Sequence, residues 1–287
     1  MKFQESYKFK QFLFPLFPHK VHRSTKLMMI IASLIAIRIL LGYFHIKLPV
    51  VNETIGFAWV PIMICGWFFG PIVGCVFGAV TDTLGFVLHP SVWFWMYAIQ
   101  EPCVGLIAGV IRGICYLRIN KKSQSITLDL FVQQIFILLF CLVAVFGMFF
   151  WLDDVSFQKF QAYKIVVLVL ITAFLIMMET TTFVFIKNSD QKNHWYRLVF
   201  LYGTMIVALT MTLFSFLLGP IAAVEYLKYI NHYNPDKDTL VFLLIPRIIV
   251  QSVKVPIESF ILATLIVATS PLIKDYLNIL NNKWENN

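Results

Sequence analysis

Long apolar runs separated by short polar and basic stretches organise this chain from residue 27 to about residue 270. A helix crossing a bilayer needs ~20 predominantly apolar residues, and eight such stretches can be drawn: 27–46, 55–70, 71–88, 92–117, 131–152, 165–186, 197–219 and a long last one at 240–270. The stretch 55–88 is too long for one crossing, and Gly70-Pro71 supplies a turn signal in its middle. The pattern predicts an all-α integral membrane protein with about eight transmembrane helices, forming a single transmembrane domain over 27–275. It is preceded by a basic, aromatic segment at 1–26 and followed by a short tail at 276–287. The first apolar run lacks a small-residue cleavage site, so it is expected to stay as a span. The leading segment carries Lys2, Lys8, Lys10, Lys20, Arg23 and Lys26 among Phe and Tyr, and is expected to lie along an anionic inner leaflet.

Composition turns this pattern into an exclusion. The 287 residues are 59% hydrophobic and 13% charged, against about 45–50% and about 25% in soluble domains, so a soluble globular protein is excluded. The mean hydropathy of +0.79 is spread along most of the chain. A net charge of +8 would suggest nucleic acid in a soluble protein, but in a membrane protein it reads as Lys and Arg in cytoplasmic loops. With both termini cytoplasmic, the inner side holds fifteen basic residues and the outer loops five. Merging 55–88 into one span would move the basic cluster at 118–122 outside, which is why eight spans are preferred. The cysteines at 65, 75, 103, 115 and 141 form no CxxC and read as small packing residues. A chain rich in Lys, Asn, Ile and Phe fits the plasma membrane of a low-GC bacterium.

Charges inside the spans carry the candidate chemistry. Arg38, Arg247, Lys254, Asp82, Glu101, Glu179 and Glu258 all fall within apolar stretches. Each costs ~2.5–3.5 kcal/mol at mid-membrane, so each needs a partner or a task. At ~1.5 Å per residue, Arg38 lies about 17 Å and Asp82 about 16 Å above the inner ends of their helices. Glu101 and Arg247 lie about 13 Å and about 10 Å below the outer ends of theirs. Four charges from four helices thus share one outer layer. Two readings stand: a pair of salt bridges locking the bundle, or a polar pocket open to the outside. Arginine forks hold carboxylates bidentately, and Asp or Glu accepts paired N–H donors from a heterocycle. Phe57, Trp59, Trp93, Trp95 and Tyr97 cluster at the same level, either as an interfacial belt or as a stacking wall for a flat ring, for which Trp93 and Trp95 are the better placed. Lys254, Glu258 and Glu179 lie deeper, and Lys254 and Glu258, four apart on one face, read as an internal pair.

Small residues form a second pattern. Gly66, Gly70, Gly74 and Gly78 recur every fourth residue, as do Gly105, Gly109 and Gly113, a spacing that lets helix backbones approach closely. Ala32-x-x-x-Ala36 follows the basic leader and is placed to face another subunit. No P-loop, no G-x-S-x-G elbow and no H-E-x-x-H occurs, and the six histidines fall in termini and loops. An enzyme reading therefore has no motif to stand on, and no cofactor or metal is expected.

The segments Arg38-Ile39-Leu40-Leu41, Gly56-Phe57-Ala58-Trp59-Val60-Pro61, Gly66-Trp67-Phe68-Phe69-Gly70-Pro71-Ile72-Val73-Gly74 and Gly78-Ala79-Val80-Thr81-Asp82-Thr83-Leu84-Gly85-Phe86, with Pro246-Arg247-Ile248-Ile249 and Pro256-Ile257-Glu258 near the C-terminus, resemble the substrate-binding S component of energy-coupling factor vitamin transporters, the folate-specific family in particular. The resemblance covers roughly 27–117 and 197–270. It implies a six-helix S-component core, here with an extra helical hairpin at about 131–187. It also implies a subunit that captures folate or a related vitamin at its outer face and topples in the membrane, driven by a transmembrane coupling subunit and two cytoplasmic ATPases, the only subunits to use ATP. By the same resemblance Ala32 and Ala36 would dock on the coupling protein. Arg38 and Arg247 would engage the glutamyl or benzoyl-glutamate end of a folate, and Asp82 would be either a pterin contact or the structural partner of an arginine. Val250 stands where the family is often basic. Riboflavin or pantothenate are the alternative vitamins. Ile111-Arg112-Gly113 at a helix end raises the coupling or scaffold subunit as a different reading, for which one Arg-Gly is too few.

Overall fold

The structure, a computed structural model, describes residues 12–16, 24–48, 53–88, 93–119, 128, 130–139, 142, 161–188, 194–231 and 238–285. Helix α1 spans Thr25–Tyr43, and Ser24 caps it by accepting the Leu27 N–H on its Oγ at 3.4 Å. The chain then turns extended at Phe44 and forms a small antiparallel hairpin, β1 (His45–Leu48) and β2 (Glu53–Gly56), with Ile46 opposite Ile55. Helix α2 (Val60–Phe69) starts with a proline in its first turn, where an N–H has no helical acceptor to lose, and stops at Gly70. Gly70 has φ 93° and its N–H bonds the Gly66 carbonyl at 2.9 Å, a backbone conformation that side chains disfavour. Pro71 then opens α3 (Pro71–Leu88), so α2 and α3 fold back on each other about Gly70.

A single helical turn at Trp95–Ala98 leads into α4 (Gln100–Ile119), followed by α5 (Leu130–Leu139) and α6 (Gln161–Asn188). Helix α7 (His194–Met211) runs through a π-helical segment, Thr212–Leu218, into α8 (Gly219–Asn231). The last helix, α9 (Asp238–Glu285), contains Pro246, Pro256 and Pro271.

Among the described residues six helical stretches are long and apolar enough to cross a membrane: Thr25–Tyr43, Pro71–Leu88, Trp95–Tyr116, Val169–Lys187, Trp195–Ile230 and Leu244–Pro271. The all-α membrane architecture is as expected, but the eight stretches are not equal. Val60–Phe69 is an apolar helix of ten residues, about 15 Å long or half of a ~30 Å hydrocarbon core, and of the expected span 131–152 the described residues are 131–139 and 142. The expected span 55–70 is shortened because its first residues complete strand β2 and the turn after it. The span expected to run to residue 46 ends at Tyr43 because β1 takes over. Most of the link inside the expected hairpin 131–187 lies outside the described residues.

The centre of the bundle is built on the spaced glycines. A Cβ on Gly66 or Gly74 would strike the Gly105 carbonyl, one on Gly105 the Gly74 carbonyl, one on Gly78 the Glu101 carbonyl, and one on Gly109 the Pro71 backbone. Helices α2, α3 and α4 therefore meet backbone to backbone, as small-residue spacing allows. Around them α7 is almost wholly buried, α9 packs along α7, and α6 lies outside both. Phe174 of α6 sets its ring edge-on to Phe216 at 5.3 Å, and Phe185 stacks on Phe200 at 3.8 Å. Of the leading segment, residues 12–16 lie against the bundle: Leu13 and Pro15 sit over Gly70, Phe12 over Gly113, and Leu16 is buried. The rest of the expected membrane-surface leader lies outside the described residues.

Candidate functional site

Where α1 and α3 end and α4 begins, their termini open a cavity of about 380 Å³. Helix α1 supplies Arg38, Ile39, Gly42 and Tyr43, and α3 supplies Asp82, Gly85, Phe86 and Leu88. The entry to α4 supplies Trp93, Phe94, Tyr97 and Ala98, and α8 closes one side with Tyr226. Phe94, Tyr97 and Tyr226 form a mutually edge-on triplet with ring centroids 5.7–5.8 Å apart, a favourable geometry for aromatic quadrupoles. The volume falls within the about 300–1,000 Å³ of small-molecule pockets.

Beneath this cavity lies a buried ion pair. Arg38 donates from Nε to Glu101 Oε2 at 3.1 Å and from Nη2 to Glu101 Oε1, with side chains 13% and 8% exposed. This is the two-pronged arrangement that fits a guanidinium to a carboxylate. Thr81 Oγ1 lies 3.0 Å from both the Gly78 carbonyl and Glu101 Oε2, and its one proton serves one or the other. Gly78 allows the approach, since α3 can press on α4 at Glu101 only without a side chain there. The third guanidinium nitrogen, Nη1, faces Gly42 and Gly85, which both line the cavity. Asp82 lines the same cavity and forms no hydrogen bond or salt bridge among the described residues. Within the charged layer Arg38 and Glu101 bridge each other, and Asp82 lines the cavity beside them.

The other sequence candidates lie elsewhere. Trp93 is 59% exposed and lines the cavity, whereas Trp95, 55% exposed, tilts against Phe94 at 6.5 Å without lining it. Phe57 and Trp59 precede α2 and pack on the hydrophobic core. Trp59 meets Phe214 edge-on at 6.0 Å and carries Lys254 Nζ over its ring at 5.6 Å. Arg247 is separated from the cavity lining and packs its guanidinium on Gly219, where a Cβ would collide with it. Lys254 and Glu258 form the expected internal pair at 3.7 Å, and Gln251 donates to Ser215 of the π-helical segment at 3.1 Å. Ala32 and Ala36 are exposed on α1. Tyr226, Phe94 and Thr81 were not singled out from sequence. Thr81 adjoins the acidic signal at Asp82, but Tyr226 lies in a stretch that follows the apolar run 197–219 and looks like its polar end.

The comparison with known families decides the class. The model for the ECF transporter substrate-specific component matches residues 26–186. This chain belongs to that family. The matched region runs from α1 into α6 and includes Arg38, Asp82, Trp93 and Glu101. Two curated relatives extend the similarity to the rest of the chain. "Uncharacterized protein MG313" of Mycoplasma genitalium is 30% identical, and its Mycoplasma pneumoniae homolog 26% identical; each match covers 95% of this chain and 100% of the relative. No solved structure matches the chain. As a substrate-specific component, the protein is a multi-pass membrane subunit of an ECF transporter that binds the substrate, and the family works with membrane coupling and ATPase subunits. The match is to the substrate-specific component and not to the coupling subunit suggested by Arg112-Gly113.

Proposed function

We propose that this subunit captures folate or a related pterin-bearing vitamin in the cavity between α1, α3 and α4, from the outer face of a bacterial plasma membrane with both termini cytoplasmic. The observation that carries the reading is a carboxylate with no hydrogen bond or salt bridge among the described residues, Asp82, in a cavity walled by Trp93, Phe94, Tyr97 and Tyr226. A carboxylate accepts two parallel N–H donors, which a pterin offers from its exocyclic amine and the neighbouring ring nitrogen. The adjacent ring carbonyl of the pterin is an acceptor suited to Arg38 Nη1, while the aromatic side chains cover its faces. Arg38, Glu101 and Asp82 together carry one net negative charge, which favours the donor-rich ring over the anionic glutamyl tail at Asp82. Ala32 and Ala36, exposed on α1, give the coupling subunit a face on which helices approach closely, and two ATPases bound to that subunit supply the energy for delivery inward.

The test is a titration of the purified chain in detergent with folate, followed by tryptophan fluorescence with Trp93 as the reporter. Saturable quenching is expected, and Asp82→Asn should weaken it at least ten-fold, which corresponds to ~1.4 kcal/mol. Competition with a pterin alone and with aminobenzoyl-glutamate alone separates the two ends of the ligand. The pterin should compete, and competition by aminobenzoyl-glutamate only would move the glutamyl end to Arg38. A flat titration from a folded sample rejects folate, and riboflavin and pantothenate are the next ligands in the same assay.

A further inference from the structure

Helix α6 carries, within its apolar stretch, a carboxylate that nothing among the described residues answers. Glu179 lies near the middle of the apolar stretch Val169–Lys187, about 12 Å from its Lys187 end, and is exposed. Among the described residues it forms no hydrogen bond or ion pair. The neighbouring hydroxyl of Thr180 is satisfied by the Met177 carbonyl at 3.0 Å, so the carboxylate is the group left over. The helix cannot turn it inward without giving up packed side chains: Phe174 and Met178, at 0% and 2% exposure, hold the adjoining face against the bundle. Ile176 and Phe183, 62% and 58% exposed, make the surface around Glu179 apolar.

We propose that this face of α6 docks a membrane-spanning helix of another protein that carries a Lys or Arg at mid-depth. Charge complementarity selects that occupant. An ionised carboxylate in hydrocarbon needs a cationic or hydrogen-bonding partner, and lipid tails supply neither. A second copy of this chain does not supply it either, because its mid-membrane cations are engaged: Arg38 with Glu101, Lys254 with Glu258, and Arg247 packed on Gly219. A two-fold contact through α6 would set Glu179 against Glu179. The docking face is separate from Ala32 and Ala36 on α1, so it adds a contact specified by charge to one specified by close approach.

The experiment reconstitutes the full chain, fused to a fluorescent donor, in phosphatidylcholine vesicles with synthetic polyleucine spanning peptides carrying an acceptor and a single central Lys, Leu or Glu. The Lys-centred peptide is expected to associate at least ten-fold more strongly than the Leu-centred one, and the Glu-centred peptide no more than the Leu-centred one. Glu179→Leu and the near-isosteric Glu179→Gln should each remove most of the Lys preference, with the melting temperature in detergent held or raised. Equal association of the three peptides with the wild type overturns the proposal, as does a Lys preference that survives both substitutions. Donor–acceptor transfer between two labelled copies of the chain that is lost in Glu179→Leu overturns it in favour of self-association. None of these readouts depends on which vitamin fills the cavity.

Discussion

Replacing Glu101 with alanine is expected to destabilise the protein by about 3–5 kcal/mol, because it leaves Arg38 buried without its counter-charge. Arg38→Ala should cost a similar amount, since Glu101 would then keep only Thr81 as a partner. The pair itself is worth far less than either half-deletion suggests. Desolvation of both ions offsets most of their attraction, and well-packed apolar pairs can match it. The double variant Arg38→Met/Glu101→Leu should therefore recover most of the stability lost by Glu101→Ala. Thermal melting of the four forms in one detergent makes the comparison. Folate titration of the double variant then separates function from folding, because it is folded yet lacks the Arg38 Nη1 donor. A double variant as unstable as Glu101→Ala would show that the site depends on the ions themselves and not on the space they fill.

Gly105→Leu is the second large effect. Gly105 is the point where α4 meets α3, and the atoms a side chain would strike are the Gly74 backbone, which cannot rotate away. Overpacking against side chains costs roughly 1–3 kcal/mol; here α3 and α4 must separate, and a loss above ~3 kcal/mol is expected. The readout is the fraction of protein extracted as a monodisperse species, followed by its melting temperature. Gly203→Ala is the matched control: its Cβ would lie 3.9 Å from Ala263 and Leu262, ordinary contact. It also gains helix propensity, so its melting temperature should hold or rise. A Gly105→Leu protein as stable as this control would mean that α3 and α4 do not depend on backbone contact.

The glycines and the ion pair were legible in sequence to different degrees. The four-residue spacing of Gly66, Gly70, Gly74 and Gly78 predicts close packing without naming the partner helix, because spacing reports a face and not what covers it. The structure supplies Gly105 for Gly66 and Gly74, Glu101 for Gly78, and Leu13 and Pro15 for Gly70. Depth arithmetic places Arg38, Asp82, Glu101 and Arg247 in one layer; Arg38 and Asp82 line the cavity, and Glu101 pairs with Arg38. Arg247 does not line it, because a shared depth leaves open which way a side chain points around its helix. The same gap hid Tyr226, which reaches the cavity from a helix about 130 residues farther along the chain than Phe94.

By itself the sequence determined that this protein lives in a membrane, that it is built of apolar helices, and where it must turn at Gly70-Pro71. Those properties follow from local composition: apolar length against bilayer thickness, and the backbone limits of glycine and proline. Only the tertiary structure decided that Glu101, and not Asp82, answers Arg38, that α2 is half a span long, and that Glu179 faces outward. The physical reason is that lipid-facing and buried sides of these helices are almost equally apolar, so the rotation of each helix about its axis leaves little trace in the hydropathy pattern. Rotation is set by how neighbouring helices pack, and that packing selected which charges of the described residues meet, as Arg38 and Glu101 do.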